Sequence, residues 1–304
     1  ELRYGSILVL TDQDEDGSHI KGLLFNLFET LWPSLFNCGG FLTSMLTPVI
    51  KIKKAKQEKS FYSVKDYDKW VKENDVKGWN MKYYKGLGTS TPKEAKEYFK
   101  QLKMVKYTTQ AEDDVKALNL AFSKNEDSSN LRKTWLSTYN KNDTLDYSSK
   151  NVCIEDFVNL DLKHFSVSDN VRSIPSIMDG LKPSQRKVLY CCFKRKLDKE
   201  IRVAQLAGYV SEHGAYHHGE ASLQGTIINM AQDFVGSNNI NLLDPVGQFG
   251  SRIMGGKDSA QPRYIHTKLN DISHILYDKK DNPIYKYNEE DGENVEPQYY
   301  APII

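Results

Sequence analysis

Three aspartates alternate in the run TDQDEDG, directly after a short apolar stretch. On an extended or turning backbone Asp12, Asp14 and Asp16 bring their carboxylates to one side, at the carboxyl end of a strand. Such hard oxygen donors suit Mg2+, which sits between a few carboxylates and the phosphates of a substrate. A calcium loop shares the first half of this pattern, but its twelfth position is Leu23 where Glu is needed, and a strand stands where a helix should precede it. A solvated acidic turn that binds no ion is the plainer alternative. The second stretch that could do chemistry is GQFGSRIMGGKDSAQPRY, which ends at Tyr264. The chain has 18 tyrosines, so only context can single one out as a nucleophile. Tyr264 follows a glycine-rich run able to approach a nucleic-acid backbone, and its neighbour Arg263 is a bidentate phosphate donor. A free phenol has a pKa near 10, ~3 units above neutral, so forming the phenolate costs about 4 kcal/mol unless a neighbour or a metal-bound water shares the proton. His217 and His218, in AYHHGEAS, are candidates for that role. A zinc site with Glu220 lacks further ligands, and plain helix-cap histidines are the remaining alternative. The glycine-rich run is not a nucleotide-binding loop, because Lys257 is followed by Asp258 where Ser or Thr is required, so no ATP site is expected in this chain.

These residues need elements to hold them. Ser6 to Leu10 reads as a strand, and the following turn opens a helix whose apolar residues Ile20, Leu23, Leu24, Leu27, Phe28 and Leu31 recur at helical spacing. FLTSMLTPVIKIKK reads as extended, Tyr67 to Val71 as helical and WNMKYYKGLG as a further strand. Thr91, Pro92 and Glu94 supply the N-cap, first-turn proline and N3 acid of a capping box. Strand and helix in alternation predict a parallel or mostly parallel α/β layer over residues 1–104. Residues 124–150 shift to Asn, Asp, Ser and Lys, the composition of a surface connection, which places a boundary near 150. Beyond it, helical periodicity covers Pro183 to Lys194, Val203 to His213 and Ala221 to Phe234. Short helices followed by glycine-rich loops fit a helix-turn-helix or winged-helix module.

Composition narrows the function less. The chain has 304 residues and 39% apolar content, enough for two domains with real cores. Its 41 basic and 40 acidic residues nearly cancel, so a nucleic-acid partner must be argued from local patches. One such patch lies between Asp179 and Arg202, where eight Lys or Arg face three acids. Lys182, Arg186 and Lys187 flank the helix start at Pro183, while Val188, Leu189, Cys192 and Phe193 turn inward. The helix could thus bury one side and hold phosphates on the other. A solvated charged face is the ordinary alternative. Cys38, Cys153, Cys191 and Cys192 form no CxxC pair, which argues against a disulfide framework and a thiolate zinc site and implies a reducing compartment. No run approaches ~20 apolar residues, so no membrane partner is expected.

TDQDEDGSHIKG resembles the acidic motif of the Toprim domain of eukaryotic type IIA DNA topoisomerases, and KYYKGLGTSTPKEAKEYF is similar to that domain's later strand and helix. The stretch ending at Arg263 and Tyr264 resembles the family's active-site loop, and VRSIPSIMDGLKPSQRKVLY its winged-helix segment. The resemblance runs from Leu2 to Ile304, interrupted mainly in the connecting segment. It implies an α/β Toprim domain with a Rossmann-like parallel sheet, followed by a mostly α winged-helix domain. The expected boundaries are 1–104 for Toprim, 105–150 for the connection, 151–288 for the winged helix and 289–304 for the start of a tower domain.

What the resemblance implies about chemistry is specific. Tyr264 is the nucleophile, leaving a 5′-phosphotyrosyl link. Arg263 stabilises the phosphoryl transition state, and the position of His218 contacts the scissile phosphate. Asp12, Asp14 and Asp16 hold Mg2+, while Lys85, Arg172, Lys182, Arg186, Lys187 and His217 touch double-stranded DNA. A glutamate that completes the metal site and an ATP-hydrolysing domain are expected upstream. Two strands require two tyrosines and hence a homodimer, and the resemblance implies a nuclear location, with an organelle or a viral factory as the alternatives left open by the sequence. The fragment by itself is expected to bind DNA weakly without turnover. Two readings compete: a DNA-binding module without catalysis, and another Toprim enzyme, such as a primase or nuclease-like protein, indifferent to Tyr264.

Overall fold

The computed structural model describes residues 2–84, 86–109, 111–147, 149–290 and 292–303. The chain divides into two compact units, Glu1–Asp169 and Asn170–Ile304.

The first unit opens with β1 (Ile7–Val9), α1 (Glu15–Leu31), α2 (Pro33–Phe36), β2 (Leu42–Met45), β3 (Ile50–Lys54), β4 (Gln57–Phe61), α3 (Val64–Glu73) and β5 (Asn80–Tyr83). It continues through α4 (Pro92–Gln101), β6 (Met104–Thr108), α5 (Ala111–Phe122), α6 (Ser128–Ser137), β7 (Asn151–Cys153), α7 (Ile154–Phe157) and α8 (Lys163–Ser173), the last of which runs across the division. One sheet has the order β1-β2-β6-β7. Its outer pairs are parallel, but β2 and β6 run antiparallel. The parallel layer expected from alternating strands and helices is therefore a mixed sheet. The reason is that β3, β4 and β5 form an antiparallel sheet of their own, in the order β4-β3-β5. A crossover that would have returned the chain to the same end of β2 is interrupted, and β6 enters from the opposite end.

Packing explains the rest of this unit. Phe25 of α1, Tyr107 of β6 and Phe157 of α7 meet as an aromatic core beneath the mixed sheet, with Phe25 and Phe157 fully buried. The expected apolar face of α1 packs only in part: Leu24 and Phe28 are half-buried, with Phe28 against Phe41. Ile20, Leu23, Leu27 and Leu31 are exposed, while Gly17, Ser18, Lys21, Gly22 and Phe25 face inward. Gly22 makes this possible, because a Cβ there would stand 3.0 Å from Phe122 and 3.3 Å from Leu162, so only a bare backbone lets α1 come so close. The 105–150 segment, which reads as a connection, holds a strand, two helices and the buried residues Val105, Tyr107, Leu118 and Trp135. Its few apolar residues are spaced to reach one core, which composition averaged over the segment conceals.

The second unit contains α9 (Pro183–Arg195), β8 (Ile201–Arg202), α10 (Val203–His213), α11 (Glu220–Ala231), β9 (Leu243–Val246), β10 (His266–Leu269), α12 (Asp271–Leu276), β11 (Tyr287–Glu290) and β12 (Glu293–Pro297). The sequence periodicity places α9, α10 and α11 close to these bounds. Val188, Leu189, Leu206, Val210, Leu223 and Ile227 are fully buried where the three helices meet; each such side chain contributes about 1.5–3 kcal/mol of burial. A three-stranded antiparallel sheet, β8-β10-β9, closes one side of this core. The β11–β12 hairpin packs on α9 through β12.

Candidate active site

The acidic turn follows β1, as its sequence predicts. Asp14 is the N-cap of α1 and accepts the Gly17 N–H at 2.7 Å, satisfying one of the amides a helix start leaves unpaired. Asp12 accepts the Leu87 N–H at 2.6 Å. Gly86 is pressed against the same carboxylate: a Cβ there would lie 2.9 Å from Oδ2. Asp16 lies in the first turn of α1. From Glu15 the backbone is helical, so Asp16 does not continue the every-second-residue alternation that the sequence suggests. Among the described residues no group of three His, Cys, Asp or Glu side chains is arranged to enclose a metal. The donor chemistry nevertheless fits Mg2+, which takes one or two carboxylates and completes its shell with water and substrate oxygens. Lys85 lies outside the described residues.

The loop that presents Asp12's partner is held by Glu94, which the sequence marks only as a capping acid. Its carboxylate accepts the Thr91 N–H at 2.8 Å, the Thr91 hydroxyl at 3.0 Å, the Tyr84 hydroxyl and Lys82 Nζ at 3.3 Å. Lys51, itself buried, lies 3.7 Å away. Burial alone would raise the pKa of Glu94, but these hydrogen bonds outweigh it and hold the carboxyl at about 2. Burial, reinforced by Glu94, pushes the Tyr84 phenol well above its ordinary range.

In the second unit Tyr264 stands at the end of a loop that folds on itself. Gly250 and Gly256 touch, since a Cβ on Gly250 would lie 2.6 Å from the Gly256 Cα, and both have positive φ, +102° and +79°. The buried Gln232, just past α11, donates to Phe249 O at 2.8 Å and Gly256 O at 3.4 Å. Ser251 N donates to Asp258 Oδ1 at 2.8 Å. These two glycines serve the loop's own closure. Neither Gln232 nor Asp258 carries a sequence signal beyond its polarity. Past the loop, Ala204 N donates to Pro262 O at 3.1 Å and Val203 N to Ile265 O at 3.0 Å, tying both sides of Tyr264 to α10. The Tyr264 ring is 66% exposed, and the Arg263 guanidinium lies 4.9 Å from its centroid. A hollow of ≈330 Å3, lined by Ala204, Gln224, Gln261, Pro262 and Arg263, opens beside the pair. An accessible phenol next to an exposed guanidinium and an open hollow is an arrangement suited to attack on a phosphate.

The other expected site residues separate into two groups. His218 is exposed and rests edge-on against Tyr216, and His217 Nε2 lies 3.4 Å from Glu290. Among the described residues no hydrogen bond joins His218 to Tyr264. Lys182, at the start of α9, and Arg172, in the last turn of α8, are half-buried. Arg186 and Lys187 are placed differently from the expected phosphate-facing surface. Arg186 is buried and forms a forked pair with Asp179, 2.7 Å through Nε and 3.0 Å through Nη2. Asp179 also accepts the Tyr300 N–H. Lys187 Nζ donates to Gly214 O at 2.7 Å, Glu296 at 2.8 Å and Glu290 at 3.0 Å. Both cations pin the end of the chain to α9, because buried charge is tolerated only when paired.

Known protein families account for most of the chain. A profile described as C-terminal associated domain of TOPRIM matches residues 45–170, and one describing the A subunit of DNA gyrase/topoisomerase IV matches residues 172–304. The chain is 52% identical to DNA topoisomerase 2 of Plasmodium falciparum, covering 100% of this chain and 22% of the relative. It is 49% identical to the mitochondrial DNA topoisomerase 2 of Dictyostelium discoideum, covering 100% and 24%. A crystal structure of the Plasmodium falciparum topoisomerase II DNA-binding, cleavage and re-ligation domain superposes with a TM-score of 0.78 at 51% identity, over 100% of this chain and 42% of that one. The chain thus spans less than a quarter of the length of these curated relatives. With both profiles in order and about half of its residues identical throughout, the chain belongs to the eukaryotic type IIA DNA topoisomerase family, as a stretch of the cleavage core.

Proposed function

We propose that this chain is the strand-cutting part of an ATP-dependent type II DNA topoisomerase and that Tyr264 is its nucleophile. The observation that carries the reading is the exposed phenol beside Arg263, at the end of a loop locked by Gly250, Gly256 and Gln232. Tyr264 Oη attacks the phosphorus of a backbone phosphodiester, forming an O–P bond as the bond to the 3′ oxygen breaks. The phenol proton passes to a base or water, and the departing 3′ oxygen takes up a proton. Arg263 donates to the non-bridging oxygens as charge develops on them. One phosphodiester is exchanged for another, so cleavage reverses without ATP; nucleotide hydrolysis drives strand passage from a domain outside this chain. Mg2+, when bound by Asp12, Asp14 and Asp16, supplies Lewis-acid stabilisation of charge on oxygen.

Residues 1–104 carry the Toprim chemistry in this reading. The three helices and small antiparallel sheet of the second unit act as a winged helix, and residues 289–304 lead towards the tower. Lys85, Arg172 and Lys182 contact phosphates, and His217 and His218 approach the scissile linkage when DNA is bound. Cutting two strands takes two copies of Tyr264, and therefore a homodimer. The working compartment is the nucleus, although one relative is mitochondrial. The test is Tyr264→Phe in the full-length polypeptide, followed by denaturing capture of end-labelled DNA. The variant keeps its DNA affinity and loses all covalent adduct. Adduct formation by the variant, or none by the parent protein, would remove Tyr264 from the mechanism.

A further inference from the structure

A groove of ≈1060 Å3 opens in the first unit, lined by residues of α3, the carboxyl end of α4, the start of β6 and residues 144–147, 149 and 150. Its lining holds five lysines, Lys65, Lys69, Lys103, Lys106 and Lys150, against Asp66 and Asp146. Two of the ammonium groups are engaged. Lys65 donates to Thr144 Oγ1 at 3.4 Å and Asn142 O at 3.5 Å, and Lys103 lies 4.1 Å over the Tyr62 ring. Lys69, Lys106 and Lys150 have no ion pair among the described residues. Positive charge left uncompensated in a concave cleft focuses the field and draws anions. The groove also has an apolar floor, formed by buried Leu46 with half-buried Met104 and Leu145.

Size and lining together select the occupant. At ≈1060 Å3 the groove lies at the upper end of small-ligand pockets, about 300–1,000 Å3, with room for several side chains of an extended segment. A duplex offers phosphates on convex ridges and little apolar surface to meet the floor. We infer that the groove docks a short acidic peptide of a partner protein. Its carboxylates meet Lys69, Lys106 and Lys150, and its leucine- or phenylalanine-type side chains cover Leu46, Met104 and Leu145. Acidic residues would set the rate of encounter and the apolar anchors the residence time.

The test uses fluorescence anisotropy of a fluorescein-labelled peptide alternating glutamate with leucine and phenylalanine, added to the 304-residue chain. Binding is expected, and Lys106→Glu combined with Lys150→Glu weakens it at least about tenfold at moderate salt. Lys69→Glu, made separately, weakens it in the same direction, and thermal unfolding confirms that each variant is folded. Three results overturn the inference. Affinity within about twofold of the parent in both variants removes the lysines from the site. Equal binding of an all-glutamate peptide reduces it to bulk charge attraction. A labelled duplex whose affinity falls with these substitutions, while the peptide does not bind, makes the groove a nucleic-acid surface.

Discussion

Replacing Lys187 by Met separates a structural cation from a phosphate contact. Lys187 Nζ has three acceptors within 3.0 Å, and the side chain of Glu296 is only 4% exposed. Methionine keeps the volume but leaves the Glu296 carboxylate buried with no cation among the described residues, its remaining hydrogen-bond partner among them being Asn288 at 3.1 Å. Breaking a buried pair in this way costs about 3–5 kcal/mol. For a cooperative unit of this size, each kcal/mol moves the midpoint by roughly 2–4 °C, so the transition should fall by about 6–20 °C. Calorimetry of the parent and the variant measures this. Adding Glu296→Gln to Lys187→Met removes the orphaned charge and should restore a large part of the loss, because an amide is far less costly to bury than a carboxylate. A surface phosphate contact predicts the reverse: stability within ~0.5 kcal/mol of the parent, and a salt slope of DNA binding shallower by about one. That outcome would refute a structural role for Lys187.

Gly86→Ala places a methyl group 2.9 Å from Asp12 Oδ2, at a backbone conformation alanine adopts freely, so the carboxylate must shift. DNA cleavage by the full-length variant should need more Mg2+ while its circular dichroism stays unchanged; unaltered magnesium dependence would exclude Asp12 from the site. Glu94 has its folded pKa depressed from 4.5 to about 2, so its contribution to stability is present above pH 4.5 and is lost as pH falls through 2. Unfolding curves across that window should lose part of their acid slope in Glu94→Gln, and identical slopes would contradict the hydrogen-bonded cluster. Leu23 and Leu27 are 47% and 42% exposed, so changing both to Gln should leave stability within ~0.5 kcal/mol in denaturant titration, whereas a core role predicts several times that loss.

Much of this protein is determined locally and is legible along the chain. The capping box at Thr91–Glu94, the strand before Asp12 and the bounds of α9, α10 and α11 follow from side-chain hydrogen bonding and apolar period within a dozen residues. The adjacency of Arg263 and Tyr264 and the spacing of the aspartates in the acidic turn are also written in neighbouring residues, which is why their family resemblance is so specific.

Other features depend on what meets what, and only the tertiary structure decides them. Periodicity on α1 marks Leu23 and Leu27 as core, yet the packed face is Lys21, Gly22 and Phe25, because Gly22 allows closer approach than any leucine. The charge of α9 reads as one basic face, yet Arg186 and Lys187 are buried against Asp179, Glu290 and Glu296, partners up to 109 residues away. Local sequence declares a cation's presence; the position of its counter-charge decides whether that cation faces solvent or supports the core. The direction of β6 is decided in the same non-local way, by a second sheet set between it and β2. Long-range pairing lies outside any window of neighbouring residues, and it is this pairing that turns a run of elements into a site.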